Sequence, residues 1–372
     1  MTAQKDLATP AVRTISPYVP GKPLSELERE YGIKDSVKLA SNENPLGPGA
    51  LALRAMQQAM TEIGLYPDGN GFELKQALAH HHRCGVERIT LGNGSNDLLV
   101  LLPEAFLTLG SEAVYSQYCF AIFPIAVQAT GATGKMAQAF ADDHPMALGH
   151  DLDAMARLVN ERTRLIYVPN PNNPTGTWVQ TKPLKRFIAS LPETTLVVVD
   201  EAYSEYVSDP SYPNASAWID EFPNLVVTRT FSKAHGLAGL RVGYSVSSAA
   251  VADLLNRVRQ PFNVNSIALA AARAALDDRE HLKRSAELNA AGMKQVRELL
   301  QPLPVRVYPS IGNFVLVDCR RPAGAVYEAM LRQGVIVRPV AGYGLPNHLR
   351  ITIGSREQNV RMAEALGRAL SG

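Results

Sequence analysis

Thr230-Phe-Ser-Lys-Ala-His-Gly-Leu-Ala-Gly-Leu-Arg-Val-Gly-Tyr244 is the stretch whose reading decides the fold. It follows a short apolar run, Asn224–Thr228, that reads as a buried strand. A loop opening at the carboxyl end of a parallel strand lies where α/β sheets place their ligands. This one offers two hydroxyls (Thr230, Ser232), one amine (Lys233) and one guanidinium (Arg241) among small residues. Gly236 and Gly239 leave room for close approach of backbone and a bound group. A lysine amine condenses with aldehydes and is more nucleophilic when desolvated or set beside another cation. Arg241 and the hydroxyls suit a phosphate. Taken alone, Lys233 reads most simply as a solvated loop lysine; its meaning depends on what other segments bring.

Three other segments have the same strand-then-loop context. In Val197-Val-Val-Asp200-Glu201-Ala-Tyr203 an aspartate ends an apolar strand. Burying it is costly unless it meets a partner, and a protonated ring nitrogen would be one. Tyr203 would then reach an oxygen on the same ring. A helix cap or a metal-binding aspartate is the plainer alternative. In Pro169-Asn-Pro-Asn-Asn-Pro-Thr-Gly176 the prolines and glycine shape a tight loop from which Asn173 points at a ligand, or else form an ordinary turn. Leu91-Gly-Asn-Gly-Ser95-Asn96-Asp97 reads as a strand-to-helix junction with Ser95 as N-cap, and helix-start N–H groups attract phosphate.

Outward from these motifs, apolar runs alternate with helical patterns. Strands are expected at Arg88–Leu91, Ala113–Tyr115, Arg164–Val168, Thr195–Val199, Asn224–Thr228 and Val242–Val246. Helices are expected at Leu51–Ile63, Phe72–Arg83, Ser95–Thr108 and Lys182–Leu191. Continuous apolar strands between helices predict an α/β layer with a mainly parallel sheet buried on both faces. After Ala249 the pattern is mostly helical to about Gln301, then short strands and helices suggest a smaller α+β unit. The expected division is an N-terminal arm with part of the small domain (1–40), a large domain (41–258) and a small C-terminal domain (259–372).

Composition narrows the class. The 372 residues are 46% hydrophobic and 19% charged, enough for a large buried core. A formal charge of +2 gives no field that would favour nucleic acid. Three cysteines, Cys84, Cys119 and Cys319, form no CxxC pair, which fits a reducing compartment. No apolar stretch reaches the length of a signal sequence or membrane span. A cytoplasmic location is the expectation. His80-His81-His82 cannot share one helix face, so a solvated helix surface is expected there rather than a metal site.

In order and in strand context, the four motifs resemble the fold type I pyridoxal-phosphate (PLP) dependent aminotransferases. The likeness runs from Ser41-Asn-Glu-Asn-Pro to the Leu-Arg-Ile-Thr-Ile-Gly354 segment, and these two with Tyr66-Pro67 resemble the histidinol-phosphate aminotransferase branch. The resemblance implies a large domain with a mainly parallel seven-stranded sheet, a smaller α+β domain, PLP as cofactor and a homodimer. It implies that Lys233 anchors the cofactor and moves the proton, that Asp200 pairs with the pyridine nitrogen, and that Tyr203 and Asn173 bond the ring oxygen. Ser95, Asn96, Thr230, Ser232 and Arg241 would hold the cofactor phosphate, with Tyr66 reaching that of the neighbouring subunit. Arg350 would bind an α-carboxylate, Arg338 and Tyr18 a substrate phosphate, and Asn42 would act near the amino group. Phe120 stands where the branch offers a stacking tyrosine, with Tyr118 two residues away. The implied reaction is histidinol phosphate with 2-oxoglutarate. Alternatives are a broad-range or aromatic aminotransferase, or a PLP decarboxylase of a phosphorylated amino acid. Partners would be small molecules, with no nucleic acid, membrane or metal.

Overall fold

The apolar runs assemble into one seven-stranded sheet in the computed structural model, which describes residues 3–372. A two-residue strand β1 (Val37–Lys38) comes first. Then follow β2 (Ile89–Gly92), β3 (Glu112–Ser116), β4 (Thr133–Ala137), β5 (Thr163–Pro169), β6 (Leu196–Asp200), β7 (Leu225–Thr230) and β8 (Gly243–Val246). Their order across the sheet is β2-β8-β7-β6-β5-β3-β4. All neighbours are parallel except that β8 runs antiparallel to β2 and β7. Every residue of β6 is buried, as a strand covered on both faces must be. Val197 and Val199 enter one apolar cluster and Val198 the other, the alternation of a pleated strand.

Register sets the site. Pro169 of β5 pairs with Asp200 of β6, and Asp200 pairs with Thr228 of β7. The loops after these parallel strands therefore leave one edge of the sheet side by side. Strand β4 was not visible as an apolar run because it lies at the edge of the sheet and exposes Thr133, Gly134 and Met136.

The small layer contains β9 (Arg306–Val307), β10 (Phe314–Asp318), β11 (Val335–Ile336), β12 (Arg338–Pro339) and β13 (His348–Thr352). The order β12-β13-β10-β9 is antiparallel throughout, while β1 pairs in parallel with β11. Helices Ala323–Leu331 and Arg356–Ser371 supply the apolar cover. The 22-residue helix Arg279–Leu300 ends with Val296 and Leu300 in this second core.

Residues 259–275, expected in the small domain, pack elsewhere. Val264, Ala268, Ala271 and Ala275 belong to the large-sheet core, where helix Ser266–Ala275 lies on helix Ala50–Ala59. Alanine-rich faces let the two helices approach closely, a packing preference that local periodicity does not reveal. Among the described residues no helix is long and apolar enough to cross a membrane.

His82 also departs from the expected solvated surface. Its ring sits between the Ser216 hydroxyl (3.1 Å) and the Tyr244 hydroxyl (2.9 Å), and burial holds its pKa down to about 3.

Candidate active site

The carboxyl edge of β5, β6 and β7 borders a cavity of ≈ 320 Å³ that both layers line, within the usual range for small-molecule sites. Asp200, the last residue of β6, is 8% exposed at its floor. One of its carboxylate oxygens accepts a 2.8 Å hydrogen bond from the Thr228 hydroxyl. Burial pushes its pKa up to about 6; Glu201 adds to the rise, while Thr228 and Lys233 oppose it. A carboxylate so placed gains most from a cation brought opposite it.

Tyr203 follows in the same loop, and burial pushes its phenol up to about 12. Its hydroxyl accepts from the Asn42 amide at 2.9 Å. Asn42 adopts a left-handed backbone (φ 56°) and is held by the small layer: its N–H donates to the Thr352 hydroxyl, and its carbonyl accepts from Asn313, both at 2.9 Å. Asn42 thus joins the N-terminal segment and the small layer to a large-domain site residue.

Lys233 projects from the loop after β7. Its Nζ donates to the Ser41 carbonyl at 3.0 Å and lies 5.8 Å from the centre of the Tyr203 ring. Burial, then Arg350 and Arg241, lower its pKa to about 7, against the pull of Glu43 and Asp200. Near neutrality a large share of such an amine is unprotonated, as a nucleophile and a proton carrier require.

The phosphate-type donors also converge. The helix Ser95–Phe106 begins at the cavity wall with Gly94, not Ser95, in the N-cap position. Ser95 is the first helical residue and makes no side-chain cap. Gly94 has φ 82°, and a Cβ there would lie 2.3 Å from an Arg241 guanidinium nitrogen. Arg241 donates to the Ser232 hydroxyl at 3.2 Å, and the Ser232 N–H donates to the Thr230 hydroxyl at 3.1 Å. Helix-start N–H groups, two hydroxyls and a guanidinium therefore share one corner. Gly236 serves a different neighbour from the one expected: its Cβ would meet the Gly47 carbonyl at 2.0 Å, so the close approach is to backbone. Gly239 faces open space.

Arg350, on β13, is 6% exposed. It donates to the Asn173 side-chain carbonyl and to the Ala40 carbonyl, while its buried Nε has no partner. Asn173 keeps its amide N–H₂ for another acceptor. Phe120 lines the cavity with Tyr18, their ring centroids 6.0 Å apart. Tyr118 instead packs in a separate apolar cluster and offers its carbonyl to Asn172. Arg338 pairs with Arg350 across β12 and β13 but stands outside the cavity wall, its guanidinium 5.3 Å from the centre of the Tyr18 ring. Tyr66 is 83% exposed, stacks on Phe262 and lies apart from its own chain's cavity.

The donor set fits a PLP-shaped group. An acid for a ring nitrogen, an amine for an aldehyde and a corner of phosphate-type donors occur in one cavity, and the placing of Arg241 in that corner needs Gly94 to lack a side chain. Four contributors escaped the sequence reading: the Ser41 carbonyl, Thr228, Glu43 and Thr352. Ser41 and Glu43 lie inside the Ser-Asn-Glu-Asn-Pro segment and Thr352 inside Leu-Arg-Ile-Thr-Ile-Gly354, so of the four only Thr228 fell outside every motif.

Comparison with known proteins agrees with this geometry. Residues 34–366 match the family model described as aminotransferase class I and II. Histidinol-phosphate aminotransferase 2 of Pseudomonas aeruginosa is 54% identical over 369 residues, 98% of each chain. Histidinol-phosphate aminotransferase 1 of Nitrosococcus oceani is 53% identical over 360 residues, 97% of this chain and 96% of that one. The crystal structure of histidinol-phosphate aminotransferase from Sinorhizobium meliloti in complex with pyridoxal-5'-phosphate is 32% identical with a TM-score of 0.88, covering 98% of this chain and 97% of that one.

Proposed function

This chain belongs to the class I and II aminotransferases and, within them, to the histidinol-phosphate aminotransferase family, and on that premise we propose that it moves the amino group of L-histidinol phosphate to 2-oxoglutarate, yielding imidazole acetol phosphate and glutamate. It is a PLP-dependent transaminase with the fold type I architecture. The observation that carries the reading is the Lys233 amine, its pKa lowered to about 7, in one cavity with Asp200 and the phosphate corner.

When bound, PLP supplies an electron sink for the pair left as a substrate α-proton departs. The remaining work falls to the chain. Lys233 Nζ would hold the cofactor through its aldehyde and, with its pKa lowered to about 7, would take up and return the substrate α-proton. Asp200 would pair with the ring nitrogen and favour its cationic form. Tyr203 and Asn173 would bond the ring oxygen, and Phe120 would pack against the ring. Ser95, Asn96, Thr230, Ser232 and Arg241 would hold the cofactor phosphate. Arg350 clamps an α-carboxylate with a planar fork of donors. Asn42 orients Tyr203 near the reacting amino group. Tyr18 and Arg338 take the substrate phosphate at the outer end, supported by the short distance between them.

A homodimer is part of the reading. Tyr66 is exposed with Met60, Ile63, Leu65 and Phe262, an apolar surface suited to a second copy, whose cofactor phosphate Tyr66 would reach.

The test is a donor screen on purified protein with 2-oxoglutarate as acceptor, read as glutamate formed. Histidinol phosphate is expected to outperform phenylalanine by orders of magnitude. Phenylalanine accepted well, with histidinol phosphate refused, would replace this reading with a broad-range aminotransferase. Release of carbon dioxide without glutamate would replace it with a decarboxylase.

A further inference from the structure

We propose that Thr228 is a positioning residue for this reaction: its hydroxyl, donated to Asp200, holds that carboxylate ionised and aimed while leaving its charge available to the cofactor's ring nitrogen. The inference rests on the reading that Asp200 faces that nitrogen.

The end of strand β6 presents two adjacent acids, Asp200 as its last residue and Glu201 just beyond it, to opposite faces of the sheet. Asp200 continues the face of Val198, and Glu201 that of Val199. The next strand answers each in turn. Thr228 pairs in register with Asp200 and continues the face of Val226. Arg229, one residue on, turns to the other face and donates to Glu201 from Nε at 3.0 Å and again from a terminal nitrogen. The second Glu201 oxygen accepts from the Ala215 N–H at 3.0 Å. Glu201 is therefore a closed ion pair, 0% exposed.

Asp200 receives a different partner. A guanidinium there would neutralise it and take the place of a ligand cation. A hydroxyl stabilises the carboxylate with a directed hydrogen bond and brings no counter-charge. The charge of Asp200 stays unspent at the cavity floor. The preceding residues of β7 are Leu225, Val226 and Val227, all 0% exposed. Valine would fill the Thr228 position with the same shape and the same β preference. A hydroxyl buried there costs free energy unless it serves an acceptor, and Asp200 is the acceptor it has.

The other ionisable groups around Asp200 do not duplicate this action. Glu201 raises its pKa, and Lys233 lowers it from across the cavity. Tyr203 and Tyr212 are phenols that burial keeps neutral. Thr228 is the uncharged neighbour that favours the ionised form.

The experiment measures PLP affinity for the apoenzyme by absorbance titration from pH 5 to 8, for wild type, Thr228→Val, Thr228→Ser and Asp200→Asn. Wild-type affinity is expected to break twice as pH falls, near 7 with Lys233 and again below it with Asp200; the break followed is the lower one, which Asp200→Asn should lose. Thr228→Val is expected to move the break upward by about one pH unit, the scale on which one hydrogen bond to a charged group acts. Thr228→Ser is expected to stay near wild type. Turnover of the Val variant should fall in kcat more than KM rises. If Asp200→Asn keeps the break, the placement of Asp200 fails and Thr228 with it. If Asp200→Asn abolishes the break but Thr228→Val leaves it unmoved, or Ser behaves like Val, only the assignment of Thr228 is overturned. Circular dichroism checks folding, and Thr228→Ala carries the same comparison should Val not fold.

Discussion

Gly94 and Arg241 compete for one point in space: a Cβ on Gly94 would lie 2.3 Å from an Arg241 guanidinium nitrogen. The two residues are far apart in sequence, and both hold positive φ, 82° and 59°. The helix start and the arginine of the phosphate corner can be neighbours only because position 94 has no side chain. Gly94→Ala would force Arg241 away and strain a backbone conformation open chiefly to glycine, at a cost of about 1–3 kcal/mol. PLP affinity should weaken by roughly tenfold or more. Equilibrium titration of the apo-variant, with circular dichroism as a folding control, checks this; unchanged affinity would remove Gly94 and Arg241 from the phosphate corner.

Lys233→Ala should lose at least the roughly 10²–10⁴-fold that a positioned proton carrier contributes. Borohydride treatment of the wild-type holoenzyme, followed by peptide mass spectrometry, should place a pyridoxyl adduct on Lys233. An adduct on another lysine, or turnover in the variant near wild type, would end the role given to Lys233.

The apoprotein should show a pH-dependent stability that belongs to Lys233. Its folded pKa is lowered from 10.5 to about 7 by burial and by Arg350 and Arg241. Between those values the unfolded chain binds the proton and the folded chain does not, so stability rises with pH across that window. Asp200 acts in the opposite sense at lower pH. Its folded pKa is raised from 3.8 to about 6 by burial, so its contribution to stability falls as pH rises through that interval. Scanning fluorimetry of apo wild type and Lys233→Met from pH 7 to 10 should show the wild type gaining on the variant as pH rises. Parallel curves would mean that Lys233 is not desolvated.

Arg350 and Arg338, although opposite one another on β12 and β13, should separate in kinetics. Arg350→Ala should raise KM for 2-oxoglutarate and glutamate about 100-fold, the scale of losing a buried charged partner. Arg338→Ala should raise KM for the phosphorylated donor about tenfold and leave that of glutamate unchanged, as expected of a more exposed ion pair. Equal effects of both variants on both substrates would refute the division of labour.

The motifs were legible because each rests on local chemistry. Asp200 at the end of a run of valines and Lys233 just past another strand signal a ligand edge through residue type and order alone. Less visible were features that depend on pairing between strands. Thr228 looks like one more β-branched strand residue until the register sets it beside Asp200. Ser95 has the composition of an N-cap, but the cap position falls on Gly94 because the chain must pass close to Arg241. Residues 259–275 looked like the start of the small domain, since helical periodicity does not say which core an apolar face joins.

The order of strand and loop, the residue types at the ends of β5, β6 and β7, and the chemistry of an amine, an acid and a phosphate corner were determined by the sequence itself, because secondary-structure period and side-chain type are short-range properties. Tertiary structure alone decided which groups meet: Lys233 with the Ser41 carbonyl, Asn42 with Tyr203 and Thr352, and Arg350 with Asn173. These contacts join positions well over a hundred residues apart, and with them come the burial and neighbouring charges that lower the pKa of Lys233 and raise that of Asp200. Desolvation and Coulomb energies depend on distance through space, which residue order does not specify.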